Sequence, residues 1–263
     1  MKIKKQYLIV FGILTVYLLI MCIVFNDKSK NEPPTYILLN SKNVWKYQSK
    51  EWKNMTNSNN AEYDWEKFDI YENQEKKGSY QVHFYNNEMY IFDDQKNRIR
   101  TEGNVLAIKG NKKINVIPYK ESSIEDEKIY QILEELNIES NSDLTKLSSN
   151  KKITIDIDND QEKETFYSLS NIFIDNDELV SNKKFSVIAM EKNNKISFLM
   201  NEIYNKEEFM EYCNPEVFSI IDVNEDEKLE IISKCVYVDQ IGTYYNLYNL
   251  KKGKYEPIIK THP

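Results

Sequence analysis

Asp156-Ile157-Asp158-Asn159-Asp160-Gln161-Glu162-Lys163-Glu164 is written a second time, 66 residues later, as Asp222-Val223-Asn224-Glu225-Asp226-Glu227-Lys228-Leu229-Glu230. Both copies place an oxygen-bearing side chain at positions 1, 3, 5 and 9 of the stretch. Oxygen donors at alternate positions, closed by a carboxylate, are what a hard cation such as Ca²⁺ requires of a tight turn. Without a cation or protons, three or four carboxylates in one turn repel each other. Sequence of β type leads into and out of each copy, so the stretches read as loops between paired strands, and the fold class as mainly β.

Working outward, each copy belongs to a four-strand unit. A strand enters the loop and a second leaves it (Thr165 to Leu169; Ile231 to Tyr237). A third follows (Phe185 to Met190; Tyr244 to Leu250), then a tight turn at Lys192-Asn193-Asn194-Lys195 or Lys251-Lys252-Gly253-Lys254, then a fourth. The first unit carries an insertion around Asp175 to Lys184. Four strands in roughly 45 to 50 residues is the length of one propeller blade.

Residues 151–263 thereby read as two Asp-loop β repeats, which from about Lys152 to Ile259 resemble the VCBS or FG-GAP (integrin-like) calcium-loop repeats, whose loop runs D-x-[DN]-x-D-G-x-x-[DE]. In that family the loop joins the first two strands of a blade, and the cation is usually Ca²⁺. The resemblance implies side-chain ligands at Asp156, Asp158, Asp160 and Glu164, and at Asp222, Asn224, Asp226 and Glu230. It implies main-chain carbonyl ligands at Glu162 and Lys228. The family's glycine at position 6, suited to φ > 0, is here Gln161 and Glu227. The Phe-Gly and Gly-Ala-Pro elements are absent.

Residues 36–150 read as a β-rich N-terminal region of the same ectodomain. Its strands are expected at Tyr36 to Leu39, Val44 to Tyr47, Phe68 to Tyr71, Tyr80 to Tyr85 and Met89 to Phe92. Val105 to Ile108 and Ile114 to Ile117 follow, with Gly110-Asn111 suited to a hairpin between them. Ile129, Ile132, Leu133 and Leu136 fall on one face of a helix near 123–137, with Ser122/Glu125 and Ser123/Asp126 at capping-box spacing. Asn141 to Asn150 is a polar stretch where the main internal boundary is expected. A shorter helix is expected from Asn205 to Cys213, stopped by Asn214-Pro215. A β-sandwich is the alternative architecture.

Tyr7 to Phe25 is a run of 19 residues without a charge, behind Lys2, Lys4 and Lys5. At about 1.5 Å per residue it reaches roughly 28 Å, the hydrocarbon thickness of a bilayer. No small-x-small cleavage site follows, and Leu19-Ile20-Met21 before Cys22 lacks the small residue of a lipoprotein signal. The run reads as a transmembrane signal anchor, with a cytoplasmic tail at 1–6, a spacer at 26–35, and the remainder outside a cell membrane. Setting aside the three tail lysines leaves 32 basic against 42 acidic side chains, a net of −10. That balance argues against nucleic acid as a partner.

The two histidines, His83 and His262, show no zinc-ligand spacing, and six glycines leave no phosphate loop or nucleophile elbow. Cys213 and Cys235 are the cysteines outside the apolar run and the candidates for a disulfide, since the strand opposite Cys235 begins near Cys213. Trp45, Trp52, Trp65, Tyr47 and Tyr63 form an aromatic group that reads chiefly as core and otherwise as a shelf for sugars. The functional expectation is a non-enzymatic binding or structural module of a cell envelope, with a protein or glycan partner and calcium-stabilised loops. A hydrolase with paired carboxylates is the alternative.

Overall fold

Strands with one face on a core alternate apolar and polar residues, whereas strands covered on both faces become nearly continuously apolar, as in Val217-Phe218-Ser219-Ile220-Ile221, where Ser219 is the one polar residue. A computed structural model describes residues 33–39, 43–56, 63–85, 88–110, 114–139, 147–172, 183–205, 213–223, 225–237, 243–251 and 254–261. Within them are seventeen strands and one helix, so the chain is mainly β and antiparallel.

The first sheet contains β1 (Thr35–Leu39), β2 (Asn43–Gln48), β3 (Glu51–Asn54), β4 (Glu66–Glu72), β5 (Glu75–Tyr85), β6 (Glu88–Phe92), β7 (Arg98–Ile99) and β8 (Val105–Lys109), in the order β3-β2-β1-β8-β4-β5-β6-β7. β9 (Asn115–Val116) and α1 (Asp126–Glu135) follow. The second sheet is the meander β10 (Ser149–Ile155), β11 (Glu164–Ser170), β12 (Lys183–Lys192) and β13 (Lys195–Asn205). The third is the meander β14 (Cys213–Asp222), β15 (Glu230–Tyr237), β16 (Thr243–Lys251) and β17 (Lys254–Lys260), with β9 added outside β14.

The sheets and α1 stack in layers, with the five-stranded sheet between the other two sheets. Phe218, Ile221, Ile232, Tyr245 and Leu247 pack one of its faces on Ile37, Leu39, Trp45 and Ile108 of the eight-stranded sheet. Val217, Ile220, Ile231 and Tyr248 pack its other face on Ile153, Phe166, Ile188 and Met190 of the four-stranded sheet. The far face of that sheet carries α1, through Ile129, Ile132, Leu133 and Leu136 against Tyr167, Leu169, Phe185, Val187 and Ala189. Both four-strand units are antiparallel meanders, the described strands close no barrel or propeller, and the face-to-face packing brings the two Asp-rich loops side by side.

Several local expectations are corrected. The Gly110-Asn111 hairpin does not form: β8 pairs with β1 and β4, which fill both its edges, and β9 pairs with β14 instead. The helix follows Glu125 with no side-chain cap. Ser122 is held in a bridge to Lys152, so it does not serve as the cap, and Asn150 Oδ1 accepts the Ile124 amide. Asn205 and Cys213 end and begin strands, and 206–212 lie outside the described residues. Packing also crosses residue 150, since α1 covers the second sheet and β9 extends the third. The anchor, the spacer up to Glu32 and the insertion core at 173–182 lie outside the described residues. Among those that are described, no helix is long and apolar enough to cross a membrane.

Candidate metal site in the paired Asp-rich loops

Each loop is a wide connection between two paired strands, and two of the closing contacts are the same in both. The position-9 glutamate opens the second strand and turns back across the loop. Glu164 Oε2 accepts the Ile157 amide at 3.0 Å, and Glu230 Oε2 accepts the Val223 amide at 3.2 Å. The position-5 aspartate accepts the position-7 amide, Glu162 to Asp160 and Lys228 to Asp226, each at 2.9 Å. Position 1 accepts a mid-loop amide: Gln161 to Asp156 at 3.0 Å, and Glu225 to Asp222 at 2.7 Å. Ile157 and Val223, at position 2, are buried in the two cores flanking the five-stranded sheet.

The backbone takes the left-handed turn that glycine favours, without glycine. Gln161 and Glu227 take φ of 72° and 64°, and the position-4 residues Asn159 and Glu225 take 57° and 58°. A β-carbon there costs about 1–2 kcal/mol per residue, which the surrounding hydrogen bonds and packing must offset. The loops also touch: the Leu229 amide donates to the Ile157 carbonyl, and Asn159 Nδ2 donates to Glu227 Oε2, both at 3.0 Å. Tyr255, in β17, donates its hydroxyl to the Leu229 carbonyl at 3.2 Å. Burial and the nearby charges of Glu164, Asp158 and Glu230 push its pKa up, which places this ring beside both loops.

In the first loop, Asp156, Asp158 and Glu164 each bring one carboxylate oxygen within 4.8 Å of the others. Asp156 Oδ1 and Asp158 Oδ1 are buried and accept no hydrogen bond. Asp160 reaches the same locality through a residue that sequence reading passed over as part of a turn. Lys192 Nζ lies 2.8 Å from Asp158 Oδ2, 2.6 Å from Asp160 Oδ2 and 2.6 Å from Glu164 Oε1. The last contact is an ion pair without hydrogen-bond alignment, so Glu164 Oε1 is close to a charge yet accepts no aligned donor. Burial works against the lysine's charge, but its carboxylate partners outweigh this and raise its pKa. Lys192 holds Asp160 ionised below the usual carboxylate range.

No protein-family model, curated protein or solved structure matches the chain.

The second loop is electrostatically different. Asp222 and Glu230 are buried, Asp226 and Lys228 are exposed, and Asn224 lies outside the described residues. Burial pushes the Glu230 carboxyl up to about 8, aided by the charges of Asp226 and Asp222 and opposed by the Val223 amide. A carboxyl whose folded pKa exceeds its unfolded one stabilises the fold fully below the unfolded value and loses that contribution as pH rises through the folded value. In EDTA, the unfolding free energy should fall between pH 5 and pH 8 by an amount on the order of a few kcal/mol, since one pKa unit corresponds to about 1.4 kcal/mol. Glu230→Gln should flatten that slope in chemical denaturation at the two pH values.

The remaining predicted residues disperse. Cys213 and Cys235 form a disulfide across β14 and β15, with Cα atoms 5.3 Å apart. The aromatic group splits: Trp45 and Tyr63 are fully buried in two different cores, and Tyr47 and Trp52 pack together at the edge of one. Trp65 is exposed, stacked on His83 at 4.3 Å and tilted against Phe92 at 5.3 Å. His83 is a strand residue of β5 whose Nδ1 lies 2.9 Å from Asp64.

Proposed function

We propose that this chain is a membrane-anchored envelope protein whose extracytoplasmic part is a non-enzymatic binding or structural module. Its two propeller-like units are stabilised by weak Ca²⁺ binding in the Asp-rich loops. The observation that carries the calcium reading is the duplicate closure of the loops, with a buried position-9 glutamate bonded to the position-2 amide in each. The clustered, hydrogen-bond-free oxygens of Asp156 and Asp158 support it, because buried oxygens without donors fit a cation better than a solvated turn. The anchor reading rests on the uncharged run Tyr7 to Phe25, and the envelope location follows from it. For a protein or glycan partner, the exposed ring of Trp65 beside His83 and Phe92 offers a stacking surface on β5 and β6.

Left-handed backbone at a non-glycine position 6 raises the energy of the bound loop. Dissociation constants on the order of 10⁻⁴ to 10⁻³ M are therefore expected, the range of extracellular modules. At ten times the dissociation constant a single site adds roughly 1.4 kcal/mol to stability. The test is thermal melting of the full chain in mild detergent, in EDTA and in several millimolar Ca²⁺, with Asp156→Ala and Asp222→Ala alongside. The expected result is a rise of about 3–6 °C with Ca²⁺, reduced in each variant. Equal melting temperatures in EDTA and Ca²⁺ would leave the loops as acidic turns.

A further inference from the structure

The sequence has 35 basic side chains, and two of them are arginine, Arg98 and Arg100. Both stand at one place, on β7 and directly after it, and both are exposed. With Tyr90, Thr101 and Glu102 they line a cavity of about 540 Å³ between β6 and the segment leading from β7 to β8. The wall of that segment is held in place. The Glu102 amide donates to the Glu72 carboxylate, and the Asn104 amide donates to Asn73 Oδ1 at 3.3 Å. Arg98 lies over the Tyr90 ring, 4.4 Å from its centroid. Among the described residues neither guanidinium pairs with a carboxylate. Two acidic groups nearby are engaged elsewhere: Glu88 accepts the Tyr90 hydroxyl at 2.7 Å, and Asp94 pairs with Lys67 at 2.8 Å. Glu102 is the carboxylate that lines the cavity itself.

The same sheet face carries the exposed rings. His83 is opposite Tyr90 and Phe92 is opposite Arg98, so these four share a face, while Val82, Ile91 and Ile99 turn to the core. Trp65 extends the row, its ring 18° from parallel with His83, and Asp64 holds His83 by Nδ1 at 2.9 Å. The Trp65 backbone has φ of 60°, which a bulky side chain rarely adopts, yet the ring is 43% exposed, so burial does not compensate the strain. From Trp65 to Arg98 the face crosses three strand spacings, about 14 Å.

We propose that this face binds an acidic glycan, with sugar rings stacked on Trp65 and Phe92 and a carboxylate or phosphate group held by Arg98 and Arg100. The proposal rests on the reading above of a binding module with a glycan partner, and names the chemistry of that glycan. A guanidinium presents a planar fork that matches a carboxylate or phosphate, whereas lysine, used everywhere else in the chain, is a point charge. Stacking on Tyr90 fixes Arg98 and leaves its in-plane N–H donors free for a ligand. The rings form an open shelf, which suits the C–H face of a sugar. An apolar peptide side chain would need an enclosing pocket. Outside the apolar run and its tail the chain has a net charge of −10, so two arginines without carboxylate partners attract an anion to a surface that otherwise repels it.

The test titrates the full chain in mild detergent with an oligogalacturonate, a phosphorylated dextran oligosaccharide, neutral dextran of the same length and poly-glutamate. Binding is read by calorimetry and by quenching of tryptophan fluorescence, since Trp65 is exposed while Trp45 is buried. Saturable binding of at least one acidic sugar is expected, weakening as salt is raised. The tighter of the two identifies the acid group. Arg98→Lys with Arg100→Lys keeps the charge but loses the fork, and should weaken acidic sugars about tenfold. Trp65→Ala should weaken acidic and neutral sugars alike by about three- to tenfold, and Glu102→Gln should strengthen the acidic ones. The altered side chains are exposed, so melting temperatures should stay near the parent's and exclude misfolding as the cause. If neutral dextran binds as well as the acidic sugars and the arginine variant is unchanged, the acidic specificity is overturned while the glycan-binding reading stands. Poly-glutamate binding as tightly as oligogalacturonate, and indifferent to Trp65→Ala, would overturn the proposal in favour of an acidic peptide. No saturable binding of any sugar would overturn the proposal and the glycan reading together.

Discussion

Phe218→Ala should destabilise the protein by about 3–5 kcal/mol, the usual cost of emptying a large aromatic site in a core that cannot collapse around it. Phe218 is 2% exposed and lies on the face of the five-stranded sheet that packs against the eight-stranded one. Its ring meets Tyr245 edge-on at 5.1 Å, an arrangement worth about 0.5–1.5 kcal/mol beyond area burial. Ile37, Leu39 and Trp45, from a different part of the chain, line the same core. A hole there loosens two sheets at once, and a fall in melting temperature of about 10 °C is expected for a chain of this size. Tyr85→Ala is the control, since Tyr85 is 61% exposed and should change stability by less than about 0.5 kcal/mol. Equal, small effects for the two variants in denaturant unfolding would mean that the sheets do not pack as described.

Removing the disulfide is expected to cost about 3 kcal/mol. Cys213 and Cys235 are 22 residues apart, and closing a loop of that length withdraws roughly this much entropy from the unfolded chain. The bond ties the first strand of the third sheet to the second. It sits at the end of the hairpin opposite to the Asp222 loop, where Cys213 is opposite Tyr237 and Pro215 opposite Cys235. Both sulfurs are in buried residues, at 0% and 4% exposure, so reductant should act slowly on the native protein and quickly after denaturation. Cys213→Ser with Cys235→Ser, compared with the oxidised parent by urea unfolding, measures the cost. A double variant as stable as the parent would show that the pair contributes nothing to the fold.

The strands were legible where their pattern is local. Tyr80, Val82 and Phe84 alternate with Gln81 and His83, and β5 places the first three towards the core beneath it. The loops were legible because ligand spacing is a property of nine consecutive residues. What sequence could not show is pairing at long range. Gly110-Asn111 has the chemistry of a hairpin turn, yet β9 is captured by Ile221 and Asp222, about a hundred residues away. Asn205 sits in a helix-like context, but the β12–β13 register runs on to the Lys183–Asn205 pair and keeps it extended.

The same blindness hid Lys192. Its relation to Glu164 is set by the register between β11 and β12, across the insertion at 173–182, and no local spacing contains it. Gln161 and Glu227 illustrate the converse. They stand where glycine would suit the turn, and both take the left-handed backbone that glycine would supply. Local propensity lost there to closure by Glu164 and Glu230, because a buried carboxylate bonded to a backbone amide outweighs about 1–2 kcal/mol of backbone strain.

The most direct test of the calcium reading is flow dialysis of the metal-stripped full chain against radioactive Ca²⁺ at neutral pH. Saturable binding is expected, reduced in Asp156→Ala and in Asp222→Ala, with dissociation constants on the order of 10⁻⁴ to 10⁻³ M. No saturable binding up to about 10 mM, ten times the weakest of those constants, would contradict it.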